Sequence, residues 1–508
     1  MSLLAAQLPV LPIAIPLLVG ALLLGLGRRW PGAAAAAGLL ALLGNLACAV
    51  ALWQVTADGS VLPYLLGNWS APFGIVLAVD RLAVLMLVVT AVVALACQLA
   101  AMDGPLRQGP DFPALLQFQL MGLNGAFLTG DLFNLFVFFE VLLIASYALL
   151  LHRADRAALR AGLHYVIVNL LGSALFLIAV SLLYGTLGTL NMADLAARVP
   201  RASAADQPLV AAAGALLLVV FGIKAAALPL GLWLPGTYPA APAPVAALFA
   251  VMTKVGIYSI ARVSTLLFGA EAGALAGFAT PLLLYAGLAT LLAGSVGALA
   301  ARSLRGLTAW LVVASAGTLL AALGSGTATA VGAALFYLPH TTFAAAALFL
   351  VGGAVAAARG GHLMDRIEVG NAPAHGALLG GVFLVTAMGM AGLPPLSGFV
   401  AKLMVLDAVA EGPAWPLTWT LLLASSLAAV IVLSRAGSTI FWKSSRSSDS
   451  VPVGQGTLAA LALLTGSGFA IVIWAGPIAG YMAAAGAQLA APATYIAAVL
   501  SAAGWVAP

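Results

Sequence analysis

Three of the chain's four lysines, Lys224, Lys254 and Lys402, lie inside long apolar runs. Burying a lysine in hydrocarbon costs roughly 2.5–3.5 kcal/mol even on the lenient insertion scale, so a function must offset the placement. A buried ammonium that can lose its proton is a proton carrier, and one acid is placed to control it. Glu140 closes the run Asp131-Leu-Phe-Asn-Leu-Phe-Val-Phe-Phe-Glu140. At 1.5 Å per residue it lies about 12 Å into a core some 30 Å thick, near mid-membrane. A carboxylate beside an ammonium keeps it charged, and separating the two lets the lysine pass its proton on. The bland reading of the same residues is a permanent structural ion pair between Glu140 and Lys224.

His340, in Leu338-Pro339-His340-Thr341-Thr342, follows a proline expected to open backbone carbonyls. Its unperturbed pKa near 6.5 suits a relay between lysines, although a lone histidine is often a satisfied core residue. Lys254, in Met252-Thr253-Lys254-Val255-Gly256, either carries protons or snorkels to the interface. His152, His164, His362 and His375 fall in or near loops. Asp80 and Asp131 sit at expected helix starts, where N-capping accounts for them. The segment Asn191 to Arg198, which holds Asp194, reads as a short capped surface helix. Cys48 and Cys97 lie in apolar runs without metal or disulfide spacing. No phosphate-binding loop, dinucleotide fingerprint, haem ligand pair or iron–sulfur cysteine set is present, so no cofactor and no metal site is expected.

These groups need elements to hold them. Of 508 residues, 63% are hydrophobic and 7% charged, against about a quarter charged in a soluble domain. The apolar runs are continuous and reach the roughly 20 residues a spanning helix needs, so the fold class is an all-α polytopic membrane protein and not a barrel. Counting runs gives about fourteen transmembrane helices, the first over 5–27 and the last over 457–476. The first lacks a basic leader and a cleavage site and reads as a retained helix. Odd-numbered loops then hold 13 basic residues, from Arg28 to Arg446, and even-numbered loops with their helix ends hold 4, Arg81, Arg198, Arg201 and Arg262. That asymmetry places the odd loops in the cytoplasm and both termini outside, and explains the net charge of +5 without nucleic acid.

Two spans, 208–235 and 374–409, are too long for one straight crossing. Each carries proline near its lysine: Pro229 and Pro235 after Lys224, and Pro394-Pro395 before Lys402. Proline removes a backbone hydrogen bond, so helices seven and twelve are expected to be broken. Both occupy the fourth place if helices 4–8 and 9–13 form two five-helix repeats. An odd helix number inverts the second copy, as is common in transporters. The organisation is then 1–110 for helices one to three, 111–270 and 271–436 for the repeats, and 437–508 for helix fourteen and a tail.

The strings DLFNLFVFFEVLLIASY (131–147), LHYVIVNLLGSALFLIAVSLLYGTLGTLNMADLA (163–196), WLPGTYPAAPAPVAALFAVMTKVGIYSIAR (233–262) and AGLPPLSGFVAKL (391–403) resemble the antiporter-like subunits of complex I. More closely they resemble the D-type subunits of the multisubunit Na⁺/H⁺ antiporters called Mrp. The likeness covers helices three to fourteen. It implies that Glu140, Lys224, Lys254 and Lys402 line a central hydrophilic axis, and that the chain works in the cell membrane with other antiporter subunits. Many relatives follow the helix-eleven histidine with a second histidine and a lysine; this chain has Thr341 and Ala345 there, so the relay between halves rests on His340, hydroxyls and water. The function so implied is exchange of protons for Na⁺ or another monovalent cation. The alternatives are a proton-pumping membrane subunit of complex I or of a membrane-bound hydrogenase, and a scaffold whose buried charges only set helix register.

Overall fold

The computed structural model describes residues 7–152, 156–360, 363–373, 375–412, 414–444 and 451–502. The two chain ends, Arg153, His362 and Arg446 lie outside these residues. The chain is mostly helical. Helices α1 (Leu11–Leu26) and α2 (Pro31–Val55) lead to strands β1 (Leu62–Leu65) and β2 (Val76–Val79), then to α3 (Arg81–Met102), α4 (Phe112–Leu128), α5 (Leu132–Leu151) and α6 (Arg156–Leu187). The short α7 (Met192–Arg198) precedes α8 (Gln207–Lys224), α9 (Leu234–Thr237) and α10 (Ala243–Leu266). There follow α11 (Ala279–Ala300), α12 (Leu304–Leu323), α13 (Ala328–Arg359), α14 (Gly376–Ala391), α15 (Ser397–Ala408), α16 (Trp415–Gly437), α17 (Gln455–Ile473), α18 (Ala475–Ala490) and α19 (Ala493–Ser501). Among the described residues eleven helices are long and apolar enough to cross a membrane, and up to twelve if the α18–α19 pair, bent by 71°, counts as one span.

Hydropathy alone does not rank these helices, because lipid and protein interior are equally apolar. Burial does. The apolar window of α10 is wholly buried and those of α3, α12 and α13 are 83–89% buried, whereas only 28–33% of α2, α16 and α17 is covered. Lys254 therefore sits on the central helix. Helices α11 and α12 pack against each other through small residues: a Cβ added at Gly287 or Gly294 of α11, at Gly317 of α12 or at Gly324 just past its end, would lie 2.2–2.4 Å from the other segment's backbone.

Four local expectations change. The connection before α3 carries an antiparallel hairpin, Leu62 opposite Val79 and Leu65 opposite Val76, and β2 continues to Thr129. The helix at 192–198 is capped by Asn191, whose side chain accepts from the amides of Ala193 and Asp194, but it is buried and not a surface helix. The reason lies at the other end of the chain, where the expected tail folds into α18 and α19, and α19 packs on α7. Pro339 lies inside an unbroken α13; the Leu338 carbonyl accepts from the Thr342 hydroxyl at 2.7 Å. Arg262, expected as a helix-end charge, is buried within α10.

Candidate functional site

Helix α8 ends at Lys224, and a nine-residue break separates it from α9. The carbonyl of Ile223, left with only the Ala226 amide at 3.2 Å in place of a regular helical bond, also accepts from the Trp233 indole N–H at 3.1 Å, and the Leu228 amide donates to Thr290 of α11 at 2.8 Å. Polar groups freed inside a bundle are thus satisfied from neighbouring elements, as the lack of water demands. Lys224 is buried, with Nζ donating to Asn169 Oδ1 at 3.0 Å and lying 5.6 Å from the centre of the Phe139 ring.

Glu140, one residue along α5 from Phe139, is half-buried and accepts from the Ser173 hydroxyl. Ser173 also donates to the Asn169 carbonyl at 3.1 Å. Among the described residues no ion pair joins Glu140 to Lys224. Asn169 and Ser173 of α6 stand between them, so the simple structural pair is replaced by a four-residue polar link. Sequence reading passed over both residues, although Tyr165, Asn169 and Ser173 recur every four positions and so mark a polar stripe on an apolar helix. A cavity of about 10 Å³, close to the room one water needs, is lined by Asn169, Lys224, Tyr165, Trp233 and by Met252 and Val255 of α10.

Lys254 is completely buried, and its Nζ donates to Ser315 of α12 at 3.2 Å. Snorkelling is excluded by that position. His340 is also buried; its Nδ1 lies 2.8 Å from the Ser397 hydroxyl at the start of α15, whereas among the described residues its Nε2 and the Thr341 hydroxyl have no hydrogen-bond partner. A cavity of about 30 Å³ lies between His340, Thr386, Ser397 and Thr465.

The second break separates α14 from α15 beside Lys402. Its Nζ donates to the carbonyls of Met390 and Ala391 at 3.2 and 2.9 Å and to Ser426 of α16 at 2.9 Å. The last carbonyls of a helix carry its negative dipole end, so the break builds a cation seat largely from backbone. Gly392, with φ of +86°, turns the chain there. Gly398 allows the two half-helices to touch: a Cβ would lie 1.8 Å from the Gly389 carbonyl oxygen and 2.7 Å from His340 Nε2. Gly398→Ala is therefore expected to force α14 and α15 apart, at a cost of order 1–3 kcal/mol. A lower thermal midpoint of the purified protein, with transport reduced in step, is the readout; an unchanged midpoint would mean the break is not tightly packed.

Away from these lysines, Arg262 and Asp80 form a buried two-bond ion pair, with N···O distances of 2.6 and 2.7 Å. Asp80 also caps α3 as expected, accepting from the Ala83 amide, and Asp131 caps α5 through the Asn134 amide.

A sequence profile described as NADH:quinone oxidoreductase/Mrp antiporter, TM, matches residues 129–431. The chain is 43% identical to a D-type subunit of a probable K⁺/H⁺ antiporter from Rhizobium meliloti (strain 1021), with 98% of each covered. It is 37% identical to a D-type subunit of an Na⁺/H⁺ antiporter from Bacillus subtilis (strain 168), over 84% of this chain and 85% of that one. In three dimensions it resembles a chain of the Mrp complex from Dietzia sp. DQ12-45-1b, with a TM-score of 0.89, 29% identity and 98% and 100% of the two chains covered. It also resembles a chain of the membrane-bound sulfane sulfur reductase, an archaeal respiratory membrane complex, with a TM-score of 0.87, 26% identity and 97% and 100% covered.

Proposed function

The chain belongs to the NADH:quinone oxidoreductase/Mrp antiporter transmembrane family, and from that premise we propose how its buried groups act. It is a membrane subunit of a multisubunit cation/proton antiporter, a transporter and not an enzyme. Within it, protons pass along Lys224, Lys254, His340 and Lys402, with Glu140 as the gate at the α5 end. The observation that carries this reading is that the ammonium of each of the three lysines, two buried and Lys402 half-buried, is held by neutral partners: Asn169, Ser315, or carbonyls with Ser426. Neutral partners leave the ammonium free to discharge, which a permanent carboxylate would resist. Water in the cavities beside Lys224 and His340, which are lined by Asn169 and by Thr386, Ser397 and Thr465, bridges the remaining gaps.

The redox alternative shares the fold but has less support from sequence, because the Rhizobium antiporter subunit aligns over nearly the whole chain at higher identity than the sulfur reductase chain. The test is cation-driven proton movement by the whole complex in sealed vesicles. Adding Na⁺ or K⁺ should collapse an imposed pH gradient, and Lys402→Ala in an assembled complex should abolish the response. Proton movement that needs an electron donor and ignores the cation would establish the redox reading instead.

The finer architecture follows from the same premise. Taking α8–α9 and α14–α15 each as one broken crossing, and counting the short α1 and α4, gives fourteen spans, with α18–α19 as a cap outside the count. Spans four to eight and nine to thirteen are then the two inverted repeats, with Lys224 and Lys402 at corresponding breaks. The basic loops face the cytoplasm and the chain ends face outward in the plasma membrane. Single cysteines at Ser203 and Ser438 test this: an impermeant reagent added to intact cells should reach the first alone. Labelling of only the second would reverse the orientation.

A further inference from the structure

The N-terminal part of α6 carries three basic side chains four residues apart, Arg156, Arg160 and His164. On the helix surface these stack on one face, and they line a cavity of about 720 Å³ closed on its other side by Leu232, Trp233 and Thr237. Among the described residues no ion pair involves them, and no acidic residue lines the cavity. At 32 residues, α6 is about 48 Å long, well beyond a 30 Å hydrocarbon core. Because the basic residues are all at its N-terminal end and the rest is apolar, it is the first turns that are expected at headgroup depth. Immediately below them the same side of the helix turns apolar and outward-facing: Leu163, Ile167 and Leu171 are 63%, 57% and 59% exposed.

We propose that this cavity seats the phosphodiester headgroup of an anionic phospholipid, with its acyl chains lying along Leu163, Ile167 and Leu171. Two guanidinium groups suit a phosphodiester, which they bind by paired N–H donors, and the imidazole adds a further polar contact. The apolar stripe decides between a lipid and a neighbouring helix. Helix–helix contacts in membranes favour small residues, and this stripe is built of large branched ones. The seat also has a consequence for the lysine chain. Trp233 forms a wall of this cavity and of the one beside Lys224, and its indole holds the carbonyl of Ile223. A headgroup packed on Trp233 would brace the break in α8 from outside.

The test is native mass spectrometry of the detergent-purified, delipidated complex titrated with phosphatidylglycerol, which does not depend on the transport reading. The doubly substituted Arg156→Gln/Arg160→Gln complex, shown to be assembled by size exclusion, should bind it about 30-fold more weakly than the unmodified complex. Arg156→Lys/Arg160→Lys should recover part of the loss. Phosphatidylcholine should bind both complexes alike, and millimolar inorganic phosphate should not displace phosphatidylglycerol from the unmodified one. Equal phosphatidylglycerol binding by the glutamine variant would overturn the proposal. So would displacement by inorganic phosphate, which would mark a free-phosphate site. Capture of another membrane subunit by a photocrosslinker at Leu163, in place of lipid, would overturn it too.

Discussion

Lys224→Arg is expected to give an assembled complex that exchanges essentially no cation for protons. Arginine keeps the positive charge and can still donate to Asn169 Oδ1, which lies 3.0 Å from the lysine nitrogen. It cannot release a proton during turnover, because a guanidinium stays protonated in proteins. If Lys224 serves only to balance Glu140, the arginine variant should keep most of its transport while Lys224→Ala loses transport and assembly together. If the lysine carries the proton, the two variants should be about equally inactive, each down by at least about a hundredfold, the lower end of what a positioned acid–base group supplies.

The link through α6 supplies the control for bulk. Arginine is longer than lysine, and the cavity beside it has only about 10 Å³ to spare. Asn169→Leu leaves the lysine in place while removing its acceptor. An intermediate loss in that variant, with the arginine variant dead and assembled, would locate the defect in proton release and not in packing. Near-normal efflux driven by a pH gradient in Lys224→Arg would end the carrier reading and leave Lys224 as an electrostatic partner.

The parts of this arrangement that could be read from sequence are those where one residue type is out of place. A lysine in hydrocarbon stands out by chemistry, and Pro229, Pro394 and Pro395 stand out within apolar spans already too long for one straight crossing. The helix breaks beside Lys224 and Lys402 were therefore legible, and at the second the carbonyls of Met390 and Ala391 accept from the lysine. Pro339 looked similar and behaves differently, since α13 passes through it unbroken. A proline marks where a helix is weakened, and the packing around it decides whether the helix opens. Which polar residue meets which lysine was not legible, even where the stripe of Tyr165, Asn169 and Ser173 marks a polar face. Asn169, Ser315 and Ser426 are ordinary small polar residues, common in membrane helices, and only the rotation of each helix shows which of them faces an ammonium.

The pair Asp80–Arg262 was hidden for another reason, because its members are 182 residues apart and each had a sufficient local explanation. Its expected contribution is to stability. Arg262 and Asp80 are 3% and 1% exposed, and the guanidinium also lies over the rings of Tyr258 and Tyr495, at 5.5 and 5.0 Å from their centres. The pair thus ties α3, α10 and α19 together. Removing one member of a buried pair strands the other charge, at a cost of about 3–5 kcal/mol. Asp80→Ala should consequently lower the thermal midpoint of the complex sharply or prevent its assembly. Part of that loss would come from the α3 cap, worth about 1 kcal/mol, so the informative variant is double. Asp80→Asn with Arg262→Met keeps an oxygen for the Ala83 amide, removes both charges together and keeps apolar bulk between the tyrosines. It should recover most of the stability lost in Asp80→Ala. Because neither residue contacts a lysine of the proposed chain, the recovered complex should also transport at close to the normal rate. A stable double variant without transport would contradict a purely structural role and place Asp80 and Arg262 on the ion path. An Asp80→Ala complex as heat-resistant as the unmodified one would show that the pair contributes no stability at all.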